Sequence, residues 1–269
     1  MFYRGIPLTP HNPTNRAPAA ALAVLTSSES KRLLAKAVAA MPEVKQALKS
    51  GWIIIGRGIT NAFVAEELTG IKIEQKLRYA AGIIDRGALA TAPRDIQMRP
   101  YVLHKGQSVE LLPEKALEEF GQDDVFIKGA NALDMAGNAG VLVAGPQGGT
   151  IGTALTTLAA RGSHLIMPIG LEKLVPSVND VSSHLGIRRY KYSIGTATGM
   201  VPVSIGQVVT EIQAVNILSG ATACHAGSGG IGGSEGSVVL VIEGDDAAVE
   251  EAWAIIKSIK GEPAVAGVG

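Results

Sequence analysis

The hexapeptide Gly56-Arg57-Gly58-Ile59-Thr60-Asn61 carries the residue types and spacing that most directly suggest chemistry. Two glycines free the backbone, and Thr60 and Asn61 stand where a helix begins. Unpaired N–H groups at a helix start suit a phosphate or a carboxylate. Gly56, Gly58, Thr60 and Asn61 are therefore candidate anion ligands. A plain strand-to-helix turn with Thr60 or Asn61 as N-cap accounts for the same letters equally well. As a dinucleotide fingerprint the loop fails, because Asn61 replaces the third glycine of G-x-G-x-x-G. That counts against a nicotinamide-dependent oxidoreductase.

Gly227–Gly236 reads GSGGIGGSEG and matches two patterns by letters. GSGGIG fits G-x-G-x-x-G, and GGSEG around Ser234 fits the nucleophile elbow G-x-S-x-G. Both patterns need a helix immediately afterwards. Ser237–Ile242 reads as a strand instead, so the stretch is expected to be a mobile hairpin loop of the kind that folds over a ligand. Cys224 and His225 are neighbours on a strand and point to opposite faces, so no metal site is expected. The dipeptide Gly-Lys never occurs, which excludes a P-loop. No cofactor is expected. Arg188, Arg189 and Lys191 with Tyr190 and Tyr192 read as a solvated edge, not a nucleic-acid patch.

These residues need elements to position them. Trp52–Ile55 is a run of strand formers before the first glycine loop, and Ala62–Leu68 resumes as helix. Asp123-Asp124 leads into a strand at Val125–Lys128, Val141–Ala144 is a buried-type strand, Thr150–Arg161 a helix, and His164–Pro168 the next strand. This alternation predicts a doubly wound or related open α/β sheet. Upstream, Ser28 or Ser30 is expected to cap a helix over Lys31–Leu48, divided at Pro42. Residues 78–112 read as hairpins, and residues 1–20, with four prolines, as an irregular lead-in. Towards the end come a strand at Val201–Val203, a helix at Val208–Leu218, strands at Ala221–His225 and Val238–Ile242, and a helix at Asp245–Ile259 capped by Asp245. That β-α-β-β-α order predicts a small ferredoxin-like unit. The expected domains are an α/β ligand-binding domain at 1–200 and a small α+β lid at 201–269.

Composition bounds the class. The chain has 269 residues, 24 Lys+Arg against 24 Asp+Glu, 33 Gly and one Cys. Zero net charge offers no field for nucleic acid or for a membrane surface. A lone Cys asks for no oxidising compartment. Apolar stretches such as Ala19–Leu25 are too short to span a bilayer, and prolines interrupt what would be the apolar centre of a signal peptide. A cytoplasmic protein and a homo-oligomer are expected.

The segment Asp124–Lys173 resembles the methylthioribose-1-phosphate isomerases and the related regulatory subunits of a translation initiation factor. The residues that carry this are Gly129-Ala130-Asn131, Gly137-Asn138 and Ile151-Gly152-Thr153. The same pattern is similar to ribose-5-phosphate isomerase A, DeoR-type sugar-responsive repressors and CoA transferases. In that superfamily a strand–G-x-G-x-T–helix loop holds phosphate, which residues 56–61 resemble. Glu172-Lys173 resembles the Ser-Lys of the isomerases, and Pro202–Gly244 resembles the small subdomain of ribose-5-phosphate isomerase. The resemblance implies an isomerase/CoA-transferase type of open, mostly parallel sheet with a C-terminal lid. Departures bear on activity. The ribose isomerases carry Asp-Gly-Ala-Asp where this chain has Lys128-Gly129-Ala130-Asn131, so both carboxylates are absent. Their Lys-Gly-Gly-Gly loop aligns with Gly145–Gly149, which has no Lys. Ser234-Glu235-Gly236 resembles the Ser-Glu-Asn-Gly of CoA transferases, in which the Glu is the nucleophile.

The expected function is binding of a small phosphorylated or carboxylated metabolite at the carboxyl ends of the strands, with isomerase-like or CoA-transferase-like chemistry. Expected ligand contacts are Gly56, Gly58, Thr60, Asn61, Lys128, Asn131, Gly148 and Gly149. Lys173, Asp134 and Glu235 are the acid, base or charge candidates; a surface ion pair is the alternative for each charged residue. The competing class is a non-catalytic sensor or regulatory subunit of the same fold.

Overall fold

The computed structural model describes residues 1–9 and 17–267. The middle of the expected lead-in, residues 10–16, lies outside them.

The first regular strand is β1 (Ala19–Leu25), which feeds α1 (Ser27–Ala40). The N-cap of α1 is Thr26, not Ser28 or Ser30: its hydroxyl accepts from the Glu29 N–H, and the Glu29 carboxylate accepts from the Thr26 N–H at 2.9 Å. Pro42 opens α2 (Pro42–Ser50), where a missing N–H costs nothing. β2 (Trp52–Ile55) and α3 (Ile59–Thr69) flank the first glycine loop. A hairpin of β3 (Gly82–Asp85) and β4 (Ala88–Thr91) follows, then β5 (Tyr101–His104), β6 (Gln107–Ser108) and α4 (Pro113–Glu119). β7 (Val125–Ile127), β8 (Ala132–Leu133), β9 (Ala139–Val143), α5 (Gly149–Arg161), β10 (His164–Pro168) and α6 (Val178–His184) make the central part. The chain continues through β11 (Gly199–Val203), β12 (Gln207–Val209), α7 (Glu211–Ser219), β13 (Thr222–Gly229), β14 (Ser237–Gly244) and α8 (Asp246–Ile259).

The fold is α/β. Its main sheet has the order β12-β10-β7-β2-β5-β6. The first four strands are parallel, and β5 and β6 add an antiparallel edge. Ile53–Ile55 and Val125–Ile127 are fully buried, because helices cover both faces of a parallel core. Both therefore read as unbroken apolar runs.

Three features depart from the expected layout. Val141 belongs to β9, which pairs antiparallel with β8 and β11 outside the main sheet. Val208 and Val209 form β12 beside β10, and the helix starts only after Thr210, whose side chain makes a capping box with Gln213. The strand at 199–203 does not share a sheet with β13 and β14. Their third strand is β1, paired along seven residues from Ala19↔Gly244 to Leu25↔Val238. A bare β13–β14 hairpin would leave the β14 edge unpaired with Val238, Leu240 and Ile242 facing inward, and β1 satisfies that edge while adding Ala23 and Leu25 to the core. Residues 227–229 of the glycine stretch extend β13 and pair with β14, and the rest of the stretch joins the two antiparallel strands, as expected of a hairpin loop.

Candidate functional site

Parallel pairing brings the carboxyl ends of β2, β7 and β10 to one rim. A cavity of about 900 Å³ opens there, at the upper end of the range for small-molecule sites. Its walls come from the starts of α1, α3 and α5, from residues just past β7 and β10, from the β3–β4 hairpin and from the chain after α8.

Two helices present uncapped N-termini to this space. Gly58 is the N-cap of α3 and has no side chain to engage the amides that follow; Gly58, Ile59 and Thr60 all line the cavity. α5 starts likewise at Gly148, and Gly148, Gly149 and Thr150 line the wall. Gly148 and Gly149 have φ of 75° and 58°, so two consecutive left-handed residues turn the chain into the helix, a geometry that glycine alone adopts at no steric cost. Free first-turn amides and the helix dipole both favour an anion.

Cations gather at the same place. Lys128 follows β7, and its Nζ is 3.3 Å from the Arg57 carbonyl and 3.4 Å from that of Gly129. Lys173 follows β10 and donates to the Ala130 carbonyl at 2.9 Å. Both line the cavity with Arg57 and Lys31. Burial, then the neighbouring charges of Lys173 and Arg57, lower the Lys128 ammonium to about 8. Burial and the charge of Lys31 lower Lys173 to about 8 against the opposing fields of Glu172 and Glu211. Lys31 is paired with Glu172 at 3.2 Å.

The remaining expected site residues divide. Asn131 lines the cavity, with its Oδ1 accepting from the Leu142 N–H at 3.0 Å. Glu235 reaches the wall from the β13–β14 loop, where its carboxylate accepts from the Gly233 N–H at 2.9 Å. Gly56 and Asn61 lie outside the wall. Asn61 is fully buried, and its Nδ2 donates to the carbonyls of Gly56 and Ile127 at 2.7 and 3.2 Å. A side chain at position 56 would bring its Cβ within 3.0 Å of Lys128 Cδ and 3.3 Å of the Ile127 carbonyl. These two residues seat the loop and are not part of the cavity wall. Asp134 is also outside. It is buried, and it accepts from the N–H groups of Ala136, Asn138 and Val178, each at 3.0 Å, and from the Asn138 side chain. It organises the turn between β8 and β9 and ties it to α6.

Glu211 was not among the expected residues. It is fully buried behind Lys173; the Ser30 hydroxyl and the Leu171 N–H (2.9 Å) donate to it. Burial nonetheless pushes its carboxyl up, and the nearby charge of Glu172 adds to this. In the sequence it looks like an ordinary first-turn acid after a Thr N-cap, so no local signal marks it.

Among the described residues, no group of three or more His, Cys, Asp or Glu side chains is arranged to hold a metal ion. No helix there is long and apolar enough to cross a membrane. Comparison with family models, with curated proteins and with solved structures finds no match to this chain.

Proposed function

We propose that the chain binds a small phosphorylated or carboxylated metabolite at the carboxyl rim of β2, β7 and β10. One observation carries this reading: Lys128, Lys173, Arg57 and the uncapped starts of α3 and α5 share a single cavity. Among the described residues neither Lys128 nor Lys173 is neutralised by an ion pair. An anion at the rim beside these groups meets positive potential from Lys128, Lys173, Arg57 and the two helix starts, in a space where water screens it less than in bulk. Glu29, Asp85, Glu235 and Glu262 line other parts of the wall. On this reading the glycine loops play the part they play in the isomerase/CoA-transferase superfamily, and residues 201–269 act as the smaller unit at the rim. The proposal places the protein in the cytoplasm as a homo-oligomer. The exposed Leu22 and Val24 on the outer face of β1 support self-association.

Asn131 favours a second reading, a sensor without catalysis. An amide is no general base near neutral pH, and its Oδ1 is already engaged by Leu142. Turnover of ribose 5-phosphate is therefore not expected. A thermal-shift screen of phosphorylated and carboxylated metabolites, on the native chain and on Lys173→Ala, tests the binding proposal. Hits that stabilise the native chain and lose most of their shift in the variant support it. A panel with no anionic hit overturns it, and equal shifts in both proteins remove Lys173 from the site.

A further inference from the structure

We propose that Lys128 is a carbonyl-capturing amine, forming an imine with a small phosphorylated aldehyde or ketone held in this cavity. The inference rests on the anion-binding reading above and goes beyond it by naming the reactive group and the substrate class.

The geometry separates the two lysines. Lys128 sits at the end of the central strand β7, next to the start of α3. Its charged neighbours, Lys173 and Arg57, are cations. It forms no ion pair among the described residues, and its contacts to two backbone carbonyls are long, at 3.3 and 3.4 Å. A lysine among cations and a helix N-terminus is the arrangement that favours the free amine. Lys173 instead holds a 2.9 Å bond to Ala130 and lies in the fields of Glu172 and Glu211. It is the better proton carrier. Ile83, Leu89 and Val143 give the same cavity an apolar wall, which favours loss of water.

The step balances as follows. The lone pair of the neutral Lys128 Nζ attacks the carbonyl carbon, and the C=O π pair moves to oxygen. That oxygen takes a proton from the Lys173 ammonium, and the attacking nitrogen returns one to the Lys173 amine, yielding a neutral carbinolamine and restoring the Lys173 ammonium. The Lys173 ammonium then protonates the hydroxyl, which leaves as water while the nitrogen lone pair forms the C=N bond of an iminium. That iminium returns its proton to the Lys173 amine to give the imine. One water is released, and no oxidant or reductant is consumed. The phosphate stays at the amides of Gly58–Thr60 or Gly148–Thr150.

The test treats the full chain with glyceraldehyde 3-phosphate and sodium cyanoborohydride at pH about 8, then maps reduced adducts by peptide mass. Glycerol 3-phosphate, which has the anion but no carbonyl, serves as competitor and as a separate thermal-shift ligand. The expected result is one dominant adduct on Lys128, suppressed by glycerol 3-phosphate and absent from Lys128→Arg, whose guanidinium stays charged. The map of the native chain decides the matter even where the variant fails to fold. An adduct confined to Lys173, or spread over exposed lysines and indifferent to the competitor, overturns the proposal. No adduct together with a thermal shift from glycerol 3-phosphate overturns imine formation and leaves anion binding standing. No adduct and no shift overturns both.

Discussion

The side chain of Asn61 donates to the backbone carbonyl of Gly56 at 2.7 Å, and the same amide reaches the Ile127 carbonyl at 3.2 Å. One fully buried residue in the first turn of α3 thus joins the ends of two adjacent parallel strands. It holds the loop whose following amides line the cavity, without touching the cavity itself.

Replacing Asn61 by Ala removes both N–H donors and leaves the buried Gly56 carbonyl without this partner, while the Ile127 carbonyl keeps the Gly56 N–H at 2.9 Å. The expected loss is about 1–3 kcal/mol of stability. Asn61→Asp should cost more, since it turns a carboxylate onto carbonyl oxygens in a buried place. Urea denaturation measures both. An Asn61→Ala protein as stable as the native chain would show that the amide does not bridge the strands.

Asp134 should matter to stability and not to binding. Burial opposes its charge, but the hydrogen bonds from Asn138, Val178 and Ala136 outweigh it and hold the carboxyl below the ordinary 3.8. A depressed acid contributes stability above its unfolded value and loses it as pH falls through the folded one. Asp134→Asn should therefore be less stable than the native chain at neutral pH, with the gap closing below about pH 3.8. Anion affinity should be unchanged. A gap that stays constant down to the acid limit contradicts this account of Asp134.

The two cavity lysines set the pH dependence of binding. Their ammonium groups are lowered from 10.5 to about 8. Between those values the unfolded chain binds more protons, so the ligand-free protein should gain stability as pH rises through that window. Anion affinity should move the other way and weaken above pH about 8, because the cations are being lost. Near that pH, binding should also draw protons from the buffer. Calorimetry in two buffers of different ionisation enthalpy reads the uptake. Zero uptake throughout would mean that neither lysine meets the anion.

Arg32 fastens the chain after α8. Its guanidinium bonds the Glu262 carboxylate at 2.9 and 3.1 Å, Glu67 at 2.9 Å and Glu66, and it lies 4.8 Å from the Phe63 ring centroid. Glu262 and the residues from Ala264 to Gly267 form part of the cavity wall. Arg32→Ala should release this segment, seen as faster amide exchange over 262–267 with α1 and α3 still protected. Unchanged exchange there would assign the hold on the segment to other contacts.

Some of this molecule is written locally. The apolar run Trp52–Ile55 before a glycine loop is enough to specify strand, turn and helix, because propensity, the turn residues and the change of hydrophobic period agree there. Pro42 divides α1 from α2 through its missing N–H, and Asp245 caps α8 by accepting from the Ala248 N–H at 2.8 Å. The convergence of residues after β2, β7 and β10 follows from the alternation of strands and helices. Other features exist only in the assembled chain. Only the first two residues of β1 fall in the lead-in at 1–20; the sequence marks Ala19–Leu25 as an apolar stretch without assigning it an element, and the open edge of β14, distant in sequence, makes it a strand. Val141 reads as a buried strand wherever it pairs, since periodicity reports burial and not the neighbour. Asn61 could face a ligand or the strand ends; the close packing of β2 against β7 decided for the strands. The burial of Glu211 and the approach of Lys128 to Lys173 depend on distances between residues far apart in sequence, and only chain folding sets those distances.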